Sequence, residues 1–362
     1  MPRTFLLCLI PLLAFSSLSR AEYQRGYIAM MGSSTVVPFA KAAGDHFAKK
    51  GRFHEPLIQS SGTGGGLKLF CEGTGPESPD VALASRAIKK RERDECAKNG
   101  LSDLIEIKIG YDALILAQST QSPPWSLTAT EVRTAFAKWL AKADGSMVLN
   151  PHHTWKDVRS TLPAEPIELL GPPTTSSVHD AFVDLISELE CNKAPWIPAG
   201  AKESTPDLIH KCRSLREDGV YREGSDQDES HVDLIARSSQ VRLGVFGYQM
   251  MQSHPKQLRA IPIDGIEPSY LNIAQDRYAG TRPLYLYVKG VALSKVPGLK
   301  DFLAEITSDA AAGDQGYLRK AGLITLPETE RQQQVQKLRA DGVFSAPPMS
   351  VSTGSKKAKG AH

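Results

Sequence analysis

The sequence is poor in most of what marks a catalyst, a membrane protein or a nucleic-acid binder. Its 362 residues carry 43 Lys+Arg against 40 Asp+Glu, a formal net charge of only +3. A body this close to neutral has no surface that would release counterions from a polyphosphate backbone, which argues against nucleic acid as a partner. Aromatic residues make up 7%, and Trp125, Trp139, Trp155 and Trp196 are scattered as packing residues or lobe-surface anchors are. Beyond the first twenty residues no apolar run is long enough to cross a bilayer. No two cysteines stand at C-x-x-C spacing, no histidine clusters with them, and the adjacent His152-His153 lies in a turn-rich stretch. These absences leave no metal site to expect. There is no G-x-S-x-G elbow and no carboxylate pair, so a secreted hydrolase is disfavoured and no catalytic residue or cofactor is assigned. No internal repeat is visible.

What is present begins with a leader. Arg3, an apolar run over Phe5–Leu18 and the closing Ser19-Arg20-Ala21 have the pattern of a secretory signal peptide cleaved after Ala21. Pro11 interrupts the run, which is short for a permanent anchor, and Cys8 lies inside it rather than at a cleavage site, against lipid attachment. The mature protein is therefore expected to be exported, periplasmic and soluble, with a net charge of about +1. Residues 346–362, with Lys356, Lys357 and Lys359, are expected to form a disordered basic tail. Four cysteines survive processing: Cys71, Cys96, Cys191 and Cys212. An even number in an exported chain points to two disulfides, with three possible connectivities. Local pairing, 71 with 96 and 191 with 212, would contribute about 3–4 kcal/mol per bridge on the chain-entropy account.

The hydrophobic pattern alternates between strand and helix. Residues 27–30, 56–59, 81–84, 104–109 and 113–117 have strand character, and 38–49, 67–71 and 89–98 have helical character. This rhythm predicts a mostly parallel sheet covered by helices. Further on, Thr128 and Glu131 have capping-box spacing and open a helix predicted over 128–143. A strand over 167–171 precedes a helix over 178–189, and 194–206, with its prolines, is predicted as a loop. Helices over 232–238, 298–307 and 311–321 and strands over 244–248 and 282–288 complete the pattern. About 340 mature residues suit two core-bearing units rather than one.

Three short runs of small and hydroxyl residues each feed a helix: Gly32-Ser33-Ser34-Thr35, Ser61-Gly62-Thr63-Gly64-Gly65-Gly66, and Thr174-Thr175-Ser176-Ser177. A helix N-terminus presents unpaired N–H groups and roughly half a positive charge, so it favours an anion. One such run is an ordinary cap. Three, with one far from the others, point to a small oxyanion gripped from two sides.

The residues that carry these runs also carry a resemblance. Gly32–Phe39 and Ser61–Cys71 resemble the two anion loops of periplasmic phosphate-binding proteins that serve ABC transporters. Asp80–Arg86 is similar to the strand that ends at their ligand, Gly110–Ala117 to the strand entering the interlobe hinge, and Arg282–Val288 to the returning crossover. The likeness spans roughly residues 25–330. It implies an α/β, two-lobed periplasmic-binding-protein fold of type II, each lobe a mostly parallel sheet with flanking helices and the ligand in the interlobe cleft. Residues 22–117 with 282–345 would form the first lobe and 118–281 the second. By motif, Ser34, Thr35, Val36, Thr63 and Gly64 would bind from the first lobe, and Ser176, Ser177, Val178 and His179 from the second. Arg86 would supply the main charge, its planar fork suiting a tetrahedral oxyanion. The implied function is capture of inorganic phosphate, or a similar oxyanion, by a monomer that delivers it to a membrane permease.

Two positions depart from the family pattern. Many members end the strand near residue 86 with a carboxylate that accepts phosphate's proton, so Arg86 leaves that task to Asp112 or a backbone carbonyl. The usual Ser-Gly-Thr turn, followed in this branch by arginine, here reads Ser176-Ser177-Val178-His179. Val178 removes a hydroxyl donor, and an imidazole is fully charged only below neutral pH. Loss of one charged hydrogen bond costs roughly ten- to a hundredfold in affinity. The alternatives are a binder of another, sulfate-like oxyanion and a divergent family member with weak binding and a surface or signalling role. Arg86 pairing with a surface acid is the bland alternative for that residue.

Overall fold

The computed structural model describes residues 25–75, 77–142, 146–174, 177–190, 206–224, 229–238 and 241–344. The expected leader, the basic tail, Cys191, Ser176 and residues 194–205 of the expected loop lie outside them. From the amino end the chain runs β1 (Ala29–Gly32), α1 (Val37–Ala48), β2 (Leu57–Ser60), α2 (Gly62–Phe70), β3 (Val81–Ala84), α3 (Lys90–Lys98) and the long β4 (Leu104–Ser119). Next come α4 (Ala129–Phe136), the hairpin β5 (Trp139–Ala141) and β6 (Met147–Leu149), α5 (Trp155–Val158), β7 (Glu168–Gly171), α6 (Ser177–Glu190) and α7 (Pro206–Arg213). They are followed by β8 (Tyr221–Glu223), α8 (Glu229–Ala236), β9 (Arg242–Gly247), α9 (Tyr248–Ser253), β10 (Leu258–Ala260) and α10 (Tyr270–Ala274). The chain returns through β11 (Thr281–Lys289) and closes with α11 (Leu299–Ile306), α12 (Asp309–Ala312), α13 (Tyr317–Lys320) and α14 (Glu328–Ala340).

One nine-stranded sheet holds the fold, in the order β2-β1-β3-β11-β4-β9-β7-β8, with β10 also paired to β4. β1 is parallel to β2 and β3, and β7 is parallel to β8 and β9. Between these two parallel groups stand β11 and β4, antiparallel to each other. β4 pairs β11 as far as Ala113 and pairs β9 from Leu114 to Ala117. The strand therefore belongs to both halves of the molecule.

The cores follow the period of the pleat. Leu284, Leu286 and Val288 of β11 face one side and pack with Phe39, Phe47, Phe302 and Leu303. Tyr285 and Tyr287 face the other, against Leu67 and Phe70 of α2. A separate and larger core holds Leu114 and Leu116 of β4 with Phe136, Trp155, Leu169, Phe182, Val245 and Phe246. Two lobes with their own interiors share one backbone sheet.

The structure differs from several sequence expectations for local reasons. The strands expected over 104–109 and 113–117 are one strand, because Gly110 at φ +154° carries the chain through the gap and Tyr111 N–H bonds Ile324 O at 2.7 Å. The helix expected over 128–143 begins as predicted, with Glu131 N–H donating to Thr128 Oγ1 at 3.2 Å and Thr128 N–H to Glu131 Oε2 at 2.8 Å. It ends at Phe136 because Lys138 N–H turns to Ser214 O at 2.8 Å and the next residues enter the hairpin. The helix expected over 311–321 is two short ones, divided by Gly313 and Gly316. α14 has too weak an apolar stripe to be legible; it buries only Arg331 and Leu338.

Cys71 is bonded to Cys96, which joins the end of α2 to α3 and selects one of the connectivities left open by the sequence. Cys212 is also disulfide-bonded. The glycines after Ser61 are part of α2 itself rather than a turn before it. The cause is a close approach: a Cβ on Gly66 would lie 2.4 Å from Gly32 Cα and 2.7 Å from Met31 O. Gly66→Ala is expected to destabilise the protein by at least about 1–3 kcal/mol in urea unfolding, since backbone cannot move aside as a side chain can. Gly62→Ala, at φ +70° but facing open space, should cost about 1–2 kcal/mol through conformation alone.

Candidate functional site

The approach of α2 to β1 brings two helix N-termini to the same end of the sheet. Ser61 N–H donates to Gly32 O at 2.9 Å, tying the second loop to the first. Ser33 is buried and anchors the first loop, its N–H bonding Leu83 O at 2.8 Å. Neither helix is capped by a side chain: Val36 precedes α1 and Ser61 precedes α2 without a capping hydrogen bond. Ser34 and Thr35 N–H groups, and those of Gly62, Thr63 and Gly64, have no backbone acceptor among the described residues. Uncapped N–H groups at paired helix starts are what an oxyanion needs.

The sequence-derived residues are placed as follows. Ser34 and Thr35 lie in the turn before α1, without a backbone acceptor for their N–H groups among the described residues, whereas the N–H groups of Val36 and Val37 are both spent on Ser33 O at 3.1 Å. Thr63 Oγ1 accepts Ser85 N–H at 3.1 Å and lies 3.1 Å from Ser85 Oγ, so the α2 start is fastened to the end of β3. Ser85 is a site neighbour that sequence reasoning did not single out, although it directly precedes Arg86. Gly64 faces Arg86; a Cβ there would be 3.9 Å from Arg86 Nη2. In the second half, Val178 and His179 are half-buried in the first turn of α6, which follows β7. Ser177 opens that helix. Thus α1, α2 and α6, the three helices fed by the hydroxyl runs, each begin after a parallel strand.

Arg86 is engaged. Its Nη1 donates to Glu92 Oε2 at 2.9 Å and to Ala87 O at 3.1 Å, and its Nη2 donates to Glu92 Oε1 at 2.7 Å. Glu92 is itself fixed at the start of α3, where it accepts Lys89 N–H at 2.9 Å. Burial works against both charges, yet the paired hydrogen bonds outweigh it, raising the Arg86 pKa and lowering that of Glu92. Asp184 of α6 adds to the field on Arg86 from the other lobe, and Asp184 is bonded in turn to Arg213. Asp112, the acceptor weighed from sequence, receives Arg282 Nη2 across the β4–β11 ladder. Among the described residues no group of three or more His, Cys, Asp and Glu side chains could hold a metal ion. The sequence raises a surface acid as a partner for Arg86 without naming Glu92; Arg282–Asp112 was not legible, because it depends on the pairing of β4 with β11.

The Arg86–Glu92 pair gives stability a definite pH dependence. Glu92's carboxyl is held below its unfolded value near 4.3, so its contribution is present above that pH and is lost as pH falls through the depressed value. Urea unfolding of wild type and Glu92→Gln should differ by a constant amount from about pH 7 to pH 5.5 and converge below about pH 4.5. A gap that widens on acidification would contradict the pairing.

The relatives agree with this architecture. A family model, the PBP superfamily domain, matches residues 19–310. Protein SphX of Synechococcus elongatus is 27% identical over 343 residues, covering 92% of this chain and 88% of that protein. Phosphate-binding protein PstS of Staphylococcus saprophyticus is 25% identical over 313 residues, covering 85% of this chain and 82% of that one. Among solved structures, a possible phosphate binding protein from Planctomyces limnophilus superposes with a TM-score of 0.65 at 27% identity, covering 87% of this chain and 98% of that one. With a matching domain over most of its length and two lobes sharing a crossover sheet, the chain belongs to the PBP superfamily.

Proposed function

We propose that the protein is an exported solute-binding protein that captures inorganic phosphate between its lobes and delivers it to an ABC-type permease. The observation that carries this reading is the pair of uncapped helix N-termini, α1 and α2, held side by side by the Ser61–Gly32 hydrogen bond. Ser34, Thr35, Thr63 and Gly64 would contact the anion from the first lobe. Ser177, Val178 and His179 at the start of α6, with Ser176 next to them in sequence, would close over it. Val36 would contribute its position rather than a free N–H. The names of the Staphylococcus and Planctomyces relatives support phosphate as the ligand. The role is capture and release, without bond making.

Arg86 enters this reading in a changed capacity. With two nitrogens on Glu92, it balances a carboxylate rather than presenting a bare charge. The grip then rests on hydroxyls, backbone N–H groups and helix dipoles, which keep their orientation when the cleft is empty. Such donors need no compensation of a full charge between visits of the ligand.

Calorimetric titration of phosphate, then sulfate, into protein refolded to strip bound anion tests the reading. Tight phosphate binding with much weaker sulfate binding is expected. Thr63→Val should weaken phosphate binding by roughly tenfold or more, the worth of one hydrogen bond to a charged ligand. Equal binding of both anions would assign the site to oxyanions generally, and absence of both would remove the capture role.

A further inference from the structure

The crossover between the lobes holds buried polar atoms with no protein partner among the described residues. Thr281 and Arg282 open β11 and pair with Ala113 and Asp112 of β4. The Arg282 side chain is only 11% exposed, and it meets Asp112 through Nη2 alone. Its Nε and Nη1, and the Thr281 hydroxyl, are buried without a protein hydrogen-bond partner among the described residues. A buried donor that has left water and found no acceptor destabilises the conformation that buries it.

Their position gives the penalty a direction. β3 ends at Ala84, opposite Tyr285, so Thr281–Leu284 run on beyond the edge of the first lobe's parallel strands. β4 exchanges β11 for β9 between Ala113 and Leu114, beside Thr281. The same stretch contains a register shift at Leu284/Tyr285, Pro283 with no N–H to donate, and Gly110 at φ +154°. Bulges, prolines and glycines are where a ladder bends most readily. A rotation of one lobe against the other that bends the strands here would expose these two side chains to water.

We propose that Thr281 and Arg282 bias the crossover toward an open cleft, because opening hydrates donors that the present conformation leaves without acceptors. This rests on the proposed closure over an anion: ligand contacts would then offset the penalty, and release would be assisted by it. The device sets the resting equilibrium of the hinge, and so the affinity, without touching the ligand.

The test uses Thr281→Val, which removes the hydroxyl and keeps the branched shape, with Thr281→Ser as the variant that retains it. Phosphate affinity by calorimetry and the radius of gyration of anion-free protein by small-angle scattering are measured together. Thr281→Val should bind phosphate about three- to tenfold more tightly and be more compact without anion than wild type, while Thr281→Ser matches wild type in both. If the valine variant does not fold, Thr281→Ala takes its place with the same expectation. Unchanged affinity and unchanged dimensions in whichever hydroxyl-free variant folds would overturn the proposal. Compaction in that variant, with phosphate binding absent from every protein including wild type, would uphold the hinge bias and remove phosphate as the ligand.

Discussion

The pairing of β4 with β11 is the constraint on which the rest of this structure depends. A single sixteen-residue strand pairs with β11 of the first lobe at its start and with β9 and β10 of the second at its end. The two parallel groups are thereby locked into one sheet, while their apolar interiors remain separate. Separate cores with a shared backbone allow the lobes to move against each other without unfolding either. β4 changes partner between Ala113 and Leu114.

Around that frame the first lobe places the starts of α1 and α2 through backbone contacts. Gly66 and Gly32 let α2 lie against β1 at a distance no side chain would permit. That contact sets the starts of α1 and α2 beside each other, and the Cys71–Cys96 bridge holds the far end of α2 to α3. α3 supplies Glu92, which pairs with Arg86 and accepts the Lys89 N–H. In the proposed site, selectivity would come from the direction of its donors. A free guanidinium would attract any anion of suitable size.

Much of this was legible from composition and pattern. The hydroxyl runs mark the three helix starts because serine, threonine and glycine there have a local physical cause: they leave N–H groups accessible and tolerate tight turns. The βα rhythm of the first hundred residues and the aromatic strand at 282–288 were legible because the pleat alternates Leu284, Leu286 and Val288 with Tyr285 and Tyr287. α14 was not, since its polar sequence buries only two residues. The continuity of β4 was not, since it depends on Gly110 and on a distant backbone partner, Ile324.

By itself the sequence determined the alternation of strands and helices in the first hundred residues and the hydroxyl runs that precede α1, α2 and α6, because these follow from local periodicity and local donors. Only the tertiary structure decided which charges meet. Arg86 found Glu92, Asp112 found Arg282 and Cys71 found Cys96. Each of those outcomes turns on strand order and helix placement, which the chain settles when its two cores form and which no local pattern encodes. The unsatisfied atoms of Thr281 and Arg282 belong to the same category: their burial is a property of how two lobes join, and neither residue carries a sign of it alone.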